Sequence, residues 1–252
     1  MPEKYVLYSM QKYNIDFSLV SNINAAEYDH QQRKIPKILQ QSQNSVLKST
    51  LEFARSNPDK IGVLPWLKLA SETLDDEFKA LIKENIDIIY GLKIHPFHSL
   101  VAPDDERLEP YYKLAYEYNL PVVSHTGGCE QAMSHHLYNA AKKHPEINFV
   151  MVHMDLGTDN SNAIELLGKL PNLYGDTTWV PVKSTLKAVQ MWGSEKILFG
   201  SDNPIDGKNT YLHNKTNQRS LYQEYFNEFK NMVSKSDYEN IMYKNAKKLF
   251  KI

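Results

Sequence analysis

Short apolar runs alternate along the chain with stretches whose apolar residues recur every three or four positions. The runs are FSLVSNI from Phe17, IGVLPWLKL from Ile61, IYGLKIHP from Ile89, PVVSHTG from Pro121, NFVMVHMDLG from Asn148, LYGDTTWV from Leu173 and KILFGSDNP from Lys196. Most are continuously apolar, as expected of parallel strands covered on both faces. The stretches between them carry helical spacing. Leu47, Leu51 and Ala54 share a face, as do Leu74, Phe78 and Leu81. Tyr111, Leu114, Ala115 and Tyr118 fall at i, i+3, i+4 and i+7, and Ala163, Leu166, Leu167 and Leu170 repeat that spacing. Pro121 and Pro171 mark helix-to-strand joints, where a missing N–H does least harm.

The alternation predicts an α/β fold of the (β/α)8 barrel class, as one domain over residues 1–252 with extra C-terminal helices. A closed barrel of this class has eight strands and starts with one. This pattern starts with a helix, Glu3 to about Tyr13, and yields seven strands, so it reads as α(βα)7 without the first strand. The expectation is an N-terminally shortened barrel whose strands from Phe17 and Lys196 present open, aggregation-prone edges. A polar stretch from Asn203 to Arg219 predicts a functional loop beside the last strand. Tyr222, Tyr225, Phe226 and Phe229 form the apolar face of one closing helix, and Ser236 with Glu239 is the capping box expected for the last.

Composition narrows the function. The chain balances 29 Lys and Arg against 30 Asp and Glu, a formal charge of -1, which disfavours a nucleic-acid partner. The basic run KNAKKLFK suits the solvated end of a helix. No stretch approaches the ~18 apolar residues of a membrane span, and MPEKYVLYSMQKYN lacks the apolar core of a signal peptide. Cys129 is the lone cysteine, so no intramolecular disulfide forms and a reducing compartment fits. It reads as an ordinary free thiol. Together these predict a soluble cytoplasmic protein acting on a small molecule, with homo-oligomerisation left open.

The candidate chemistry sits where the strands end. Lys93 and His95 close one run, His125 the next, His153 the one after, and Asp202 the last. Parallel barrel strands bring their C-terminal ends to a common mouth. Imidazoles and carboxylates gathered there can hold a metal or move a proton. Asp176 reads as structural, and Trp66 and Trp179 as core or pocket lining. His98, His135, His136 and His144 are expected to face solvent.

The motifs KIHP, HTG, HMDLG and GSDNP, in this order and with the closing NAKKLF, resemble the amidohydrolase superfamily, in the branch of metal-dependent hydrolases and decarboxylases of TIM-barrel fold. The resemblance covers essentially the whole chain. It implies a divalent metal, zinc above all, with His125 and Asp202 as ligands. Asp202 doubles as general base, and His153 sits at the metal or at the water and substrate oxygen around it. Lys93 and His95 are the implied substrate contacts, with pairing to a neighbouring carboxylate in the barrel as the other reading of Lys93. The family's first strand ends in a His-x-His pair of ligands, and no such pair occurs in this chain. The implied reaction is hydrolysis of an amide, lactone or ester, with decarboxylation of an aromatic or unsaturated acid as the alternative. A metal-free binding protein of the same descent is a third reading.

Overall fold

A computed structural model describes residues 4–203 and 221–252. The loop expected from Asn203 to Arg219 falls outside the described residues except for Asn203. Seven strands are present among the described residues: β1 (Ser18–Val20), β2 (Ile61–Val63), β3 (Leu92–Ile94), β4 (Val122–Gly127), β5 (Phe149–Leu156), β6 (Leu173–Asp176) and β7 (Ile197–Leu198). The helices are α1 (Lys4–Tyr13), α2 (Gln43–Arg55), α3 (Asp76–Glu84), α4 (Pro96–Ser99), α5 (Glu109–Glu117), α6 (Ser134–Lys143), α7 (Ser161–Leu167), α8 (Val182–Trp192), α9 (Leu221–Asn227), α10 (Lys235–Glu239) and α11 (Asn245–Phe250). Strands and helices alternate as the apolar pattern predicts.

All strand pairs are parallel. β1 pairs with β2, and β3 through β7 pair in chain order. Pro65 has no N–H and interrupts the ladder just after β2. Bridges on either side, Val63 with Ile89 and Trp66 with Lys93, join the two sheets into one ribbon. The N–H of Lys93 donates to the Pro65 carbonyl at 2.8 Å, and that of Leu67 donates to the Lys93 carbonyl at 2.9 Å.

Strand side chains alternate between two cores, as a period of two requires. Leu92, Ile94, Val122, Phe149, Met151, Leu173 and Ile197 face the helices. Val123, Val150, Val152 and Leu198 belong to a second cluster inside the ribbon, joined by Leu19, Tyr90 and Tyr174. Leu249 and Phe250 of α11 complete this inner cluster. Lys93 and His125 share the parity of the inner set, which aims them into the ring.

Among the described residues, no ladder bond joins β7 to β1, yet the outer side of β7 is covered. The carbonyl of Lys196 accepts from Gly175 of β6, and that of Leu198 from Thr177 just after it. Those of Ser194 and Ile197 accept from the Asn245 side-chain amide at 2.7 and 2.8 Å. The N–H of Phe199 donates to the Ile241 carbonyl at 2.8 Å. The open edge expected at the strand from Lys196 is therefore occupied by the terminal helical segment.

That segment runs as α10, a π-helical stretch over Asn240–Lys244, and α11. Its cap lies two residues earlier than the pattern predicts. Ser234 Oγ accepts from the Asp237 N–H at 3.1 Å and meets the Asp237 carboxylate at 2.6 Å. Ser236 and Glu239 lie inside α10, because Ser234 has the extended backbone that an N-cap needs.

Candidate functional site

The strand ends converge as the parallel order requires. Five rings form a row across the mouth. Trp66 stacks on His95 (4.7 Å, 12°), His95 on His125 (4.1 Å, 18°), His125 meets His153 edge-on (4.7 Å, 69°), and His153 meets Trp179 edge-on (6.3 Å, 86°). Beside the row lies Lys93, buried and electrostatically coupled to Asp176 and Asp202. Asp202, at the exposed end of the last run, has a left-handed backbone (φ 55°). The neighbouring Asn203 side chain accepts from the Ser9 hydroxyl at 3.1 Å, tying this turn to α1.

His153 enters the row through an unusual backbone. His153, Met154 and Asp155 all have positive φ, 72°, 44° and 68°. For residues bearing a Cβ, such a run costs free energy at every step and persists only where its surroundings enforce it. Here they do. Asp176 accepts from the His153 N–H at 3.0 Å, Thr126 Oγ1 from the Asp155 N–H at 3.0 Å, and the Asn160 amide donates to the carbonyls of His153 (3.3 Å) and Met154 (2.8 Å). The Asp155 carboxylate accepts from the Ser134 N–H and hydroxyl at 2.7 and 2.6 Å. Gly127 completes the corner. At φ 97°, a Cβ there would lie 2.1 Å from the Leu156 nitrogen, so only glycine fits.

Hydrogen bonds fix the imidazole tautomers. Nε2 of His125 faces the Gly127 carbonyl (3.1 Å) and must carry the proton, which leaves Nδ1 as a buried lone pair without a partner. Nδ1 of His153 faces the Thr178 carbonyl (3.1 Å), so its Nε2 is the lone pair. Nδ1 of His95 is buried and unpartnered as well.

Burial, with the nearby Lys93 charge, holds His125 well below the usual imidazole range and His153 at about 3. Burial likewise lowers His95. All three are neutral at pH 7. Lys93 is lowered to about 8 by burial, against the opposing pull of Asp176 and Asp202. Neutral imidazoles with free lone pairs are the donors a borderline metal ion takes, so the mouth suits such an ion in its chemistry, but the donor atoms of His125, His153 and Asp202 do not all lie within 4.8 Å of one another.

Three solvent-facing readings change, and one of them is His136, half-buried against Asp104. His98 does not face solvent: it is half-buried, its Nδ1 donates to the Tyr28 carbonyl at 2.6 Å, and its ring packs against His95 at 4.5 Å. His144 is half-buried too, against Tyr112. Asp176 is buried and acts through the His153 backbone and Thr178, whose N–H and hydroxyl it also accepts (3.0 and 2.7 Å). Glu27, almost fully buried, was not singled out by the sequence. One of its oxygens accepts from the Ala70 N–H and the other has no partner. Its signal was a lone carboxylate in the loop after β1, which no motif marks.

A sequence model of the amidohydrolase family matches residues 23–252, so the chain belongs to that family. No curated protein sequence matches the chain. Solved TIM-barrel structures share its fold. The 2,6-dihydroxybenzoate decarboxylase of Rhizobium is 14% identical, with a TM-score of 0.68 over 100% of this chain and 88% of that one. The 5-carboxyvanillate decarboxylase of Sphingomonas paucimobilis is 12% identical, with a TM-score of 0.68 over 98% and 82%. The 4-oxalomesaconate hydratase of Rhodopseudomonas palustris is 16% identical, with a TM-score of 0.69 over 98% and 80%.

Proposed function

We propose that the chain is a metal-dependent decarboxylase of a small, flat organic acid. The observation that carries this reading is the buried Lys93 ammonium beside a row of five flat rings. Asp176 and Asp202 offset only part of the cost of burying this cation, which a substrate carboxylate would reduce further, and stacked rings favour a planar, unsaturated partner. The similar solved structures named for decarboxylases of aromatic acids support the same choice.

His125 through Nδ1, His153 through Nε2 and Asp202 would hold a divalent, zinc-type ion. Bound there, it would supply Lewis-acid polarisation of a substrate oxygen. The protein's own groups do the rest. Lys93 pairs with the substrate carboxylate and orients it. The Trp66 and His95 rings hold the plane of the acid. Asp202 delivers a proton to the carbon bearing the carboxylate as the C–C bond breaks. CO2 leaves, the bonding electron pair stays on that carbon, and solvent returns the proton to Asp202.

The exposure of Asp202 favours one second reading, hydrolysis. There Asp202 would take a proton from water as an amide, lactone or ester opens. Product analysis on a panel of aromatic acids, amides and lactones, with zinc or manganese supplied, separates the two. CO2 without a new carboxylate supports the decarboxylase, and a new carboxylate with its amine or alcohol supports the hydrolase. Asp202→Asn should keep the fold and lose turnover by about 100-fold or more. Unchanged turnover would remove Asp202 from either scheme.

A further inference from the structure

Donor atoms of Glu130, His135 and His136 lie within 4.8 Å of one another, outside the row at the mouth. Glu130 opens a 3-10 turn after β4, and the two histidines stand in the first turn of α6. Glu130 Oε1 lies 3.6 Å from His135 Nε2 and 3.9 Å from His136 Nε2. Ligands of one tetrahedral zinc ion are separated by roughly 3.3–3.5 Å, since each bond is about 2.0–2.1 Å. Small side-chain rotations close the difference.

A second observation distinguishes this cluster from a chance gathering of polar groups. His136 Nδ1 lies 2.8 Å from Asp104 Oδ1, and the other Asp104 oxygen accepts from the Asn139 amide at 2.9 Å. A carboxylate held on both oxygens therefore fixes the His136 ring with its proton on Nδ1. The Nε2 lone pair is thereby turned towards Glu130 and His135. This carboxylate–histidine relay is how metal-binding imidazoles are oriented and made more basic. A lone pair facing a carboxylate is relieved by a cation between them, either a proton or a metal ion.

We infer that Glu130, His135 and His136 form a second divalent-metal site, of zinc type, at the surface and distinct from the mouth. Two imidazoles and one carboxylate select a borderline ion such as zinc over calcium or magnesium. The remaining position faces solvent, because the Glu130 and His135 side chains are exposed. Such a site exchanges its ion readily. When filled, it pins the loop after β4 to α6, whose first residue, Ser134, is already bound to Asp155 at the strained turn of β5.

The test is zinc titration of chelator-stripped protein by calorimetry, in wild type, His135→Ala/His136→Ala, Asp104→Asn and the mouth variant His125→Ala. The double variant should lose one zinc equivalent that wild type binds and that His125→Ala retains. Asp104→Asn should weaken that equivalent by about 10- to 100-fold. A zinc-edge anomalous difference map from soaked wild-type crystals should place a peak between the three side chains, which decides the matter even where a variant fails to fold. Identical titrations for wild type and double variant, or no peak at that position, would overturn the site. An empty mouth with a filled surface site would count against the proposed reaction and leave this inference standing.

Discussion

Lys93 is where the local chemistry and its cost are most visible. Its ordinary value of 10.5 is lowered to about 8 because burial disfavours the ammonium more than Asp176 and Asp202 favour it. The folded state thus binds this proton less tightly than the unfolded chain. The cost is fully present below about pH 8 and is relieved as pH rises towards the unfolded value, so this group makes stability rise with pH across that window. At neutral pH the cost is on the order of 3 kcal/mol. Lys93→Met should therefore raise thermal stability while raising KM for an acid substrate about 10- to 100-fold, as expected when a charged hydrogen bond worth about 1.5–3 kcal/mol is lost. In wild type, KM for such a substrate should climb as pH passes about 8, where the ammonium loses its proton. The variant should lack that inflection. A pH-independent wild-type KM would contradict the assignment of Lys93 to the substrate anion. Lys93, His95, His125, His153 and Asp202 were legible as polar strand ends because they belong to local motifs. His98 and Glu27 were not, and Asp176 was legible as structural but not as the buttress of His153. Their partners are Tyr28, Ala70 and His153, and such through-space contacts leave no periodic trace.

At the scale of elements, apolar runs located every strand among the described residues, because all but the half-buried β1 are largely buried and so carry a continuous run. What it missed were details set by a single atom. The break after β2 comes from the absent N–H of Pro65, and the start of α10 from one hydroxyl. Ser234→Ala should destabilise the protein by about 1 kcal/mol in urea unfolding, the usual value of an N-cap. Ser236→Ala, at the position the pattern favoured, should be close to neutral. Equal effects would mean that Ser234 does not cap the helix. Neither change should alter turnover, since both lie on the terminal helical segment and not at the mouth.

For the molecule as a whole, the seven parallel strands and their order were legible, whereas the covering of the β7 edge was not. The run NAKKLF reads as a basic helical face, but its first residue supplies two hydrogen bonds to the carbonyls of Ser194 and Ile197. Asn245→Leu should cost about 1–3 kcal/mol by leaving buried carbonyls unmade. It should also increase light scattering on heating, as the strand becomes available to a second molecule. Wild-type scattering in that variant would mean that the edge is protected by other means. The same segment sends Leu249 and Phe250 into the inner cluster. Residues 241–250 follow every described strand and are therefore translated after all of them. During synthesis the ring waits with its inner apolar cluster incomplete until this segment leaves the ribosome. The nascent chain thus passes through a stage at which a chaperone has the most to bind, and that stage ends only when the terminal helix docks.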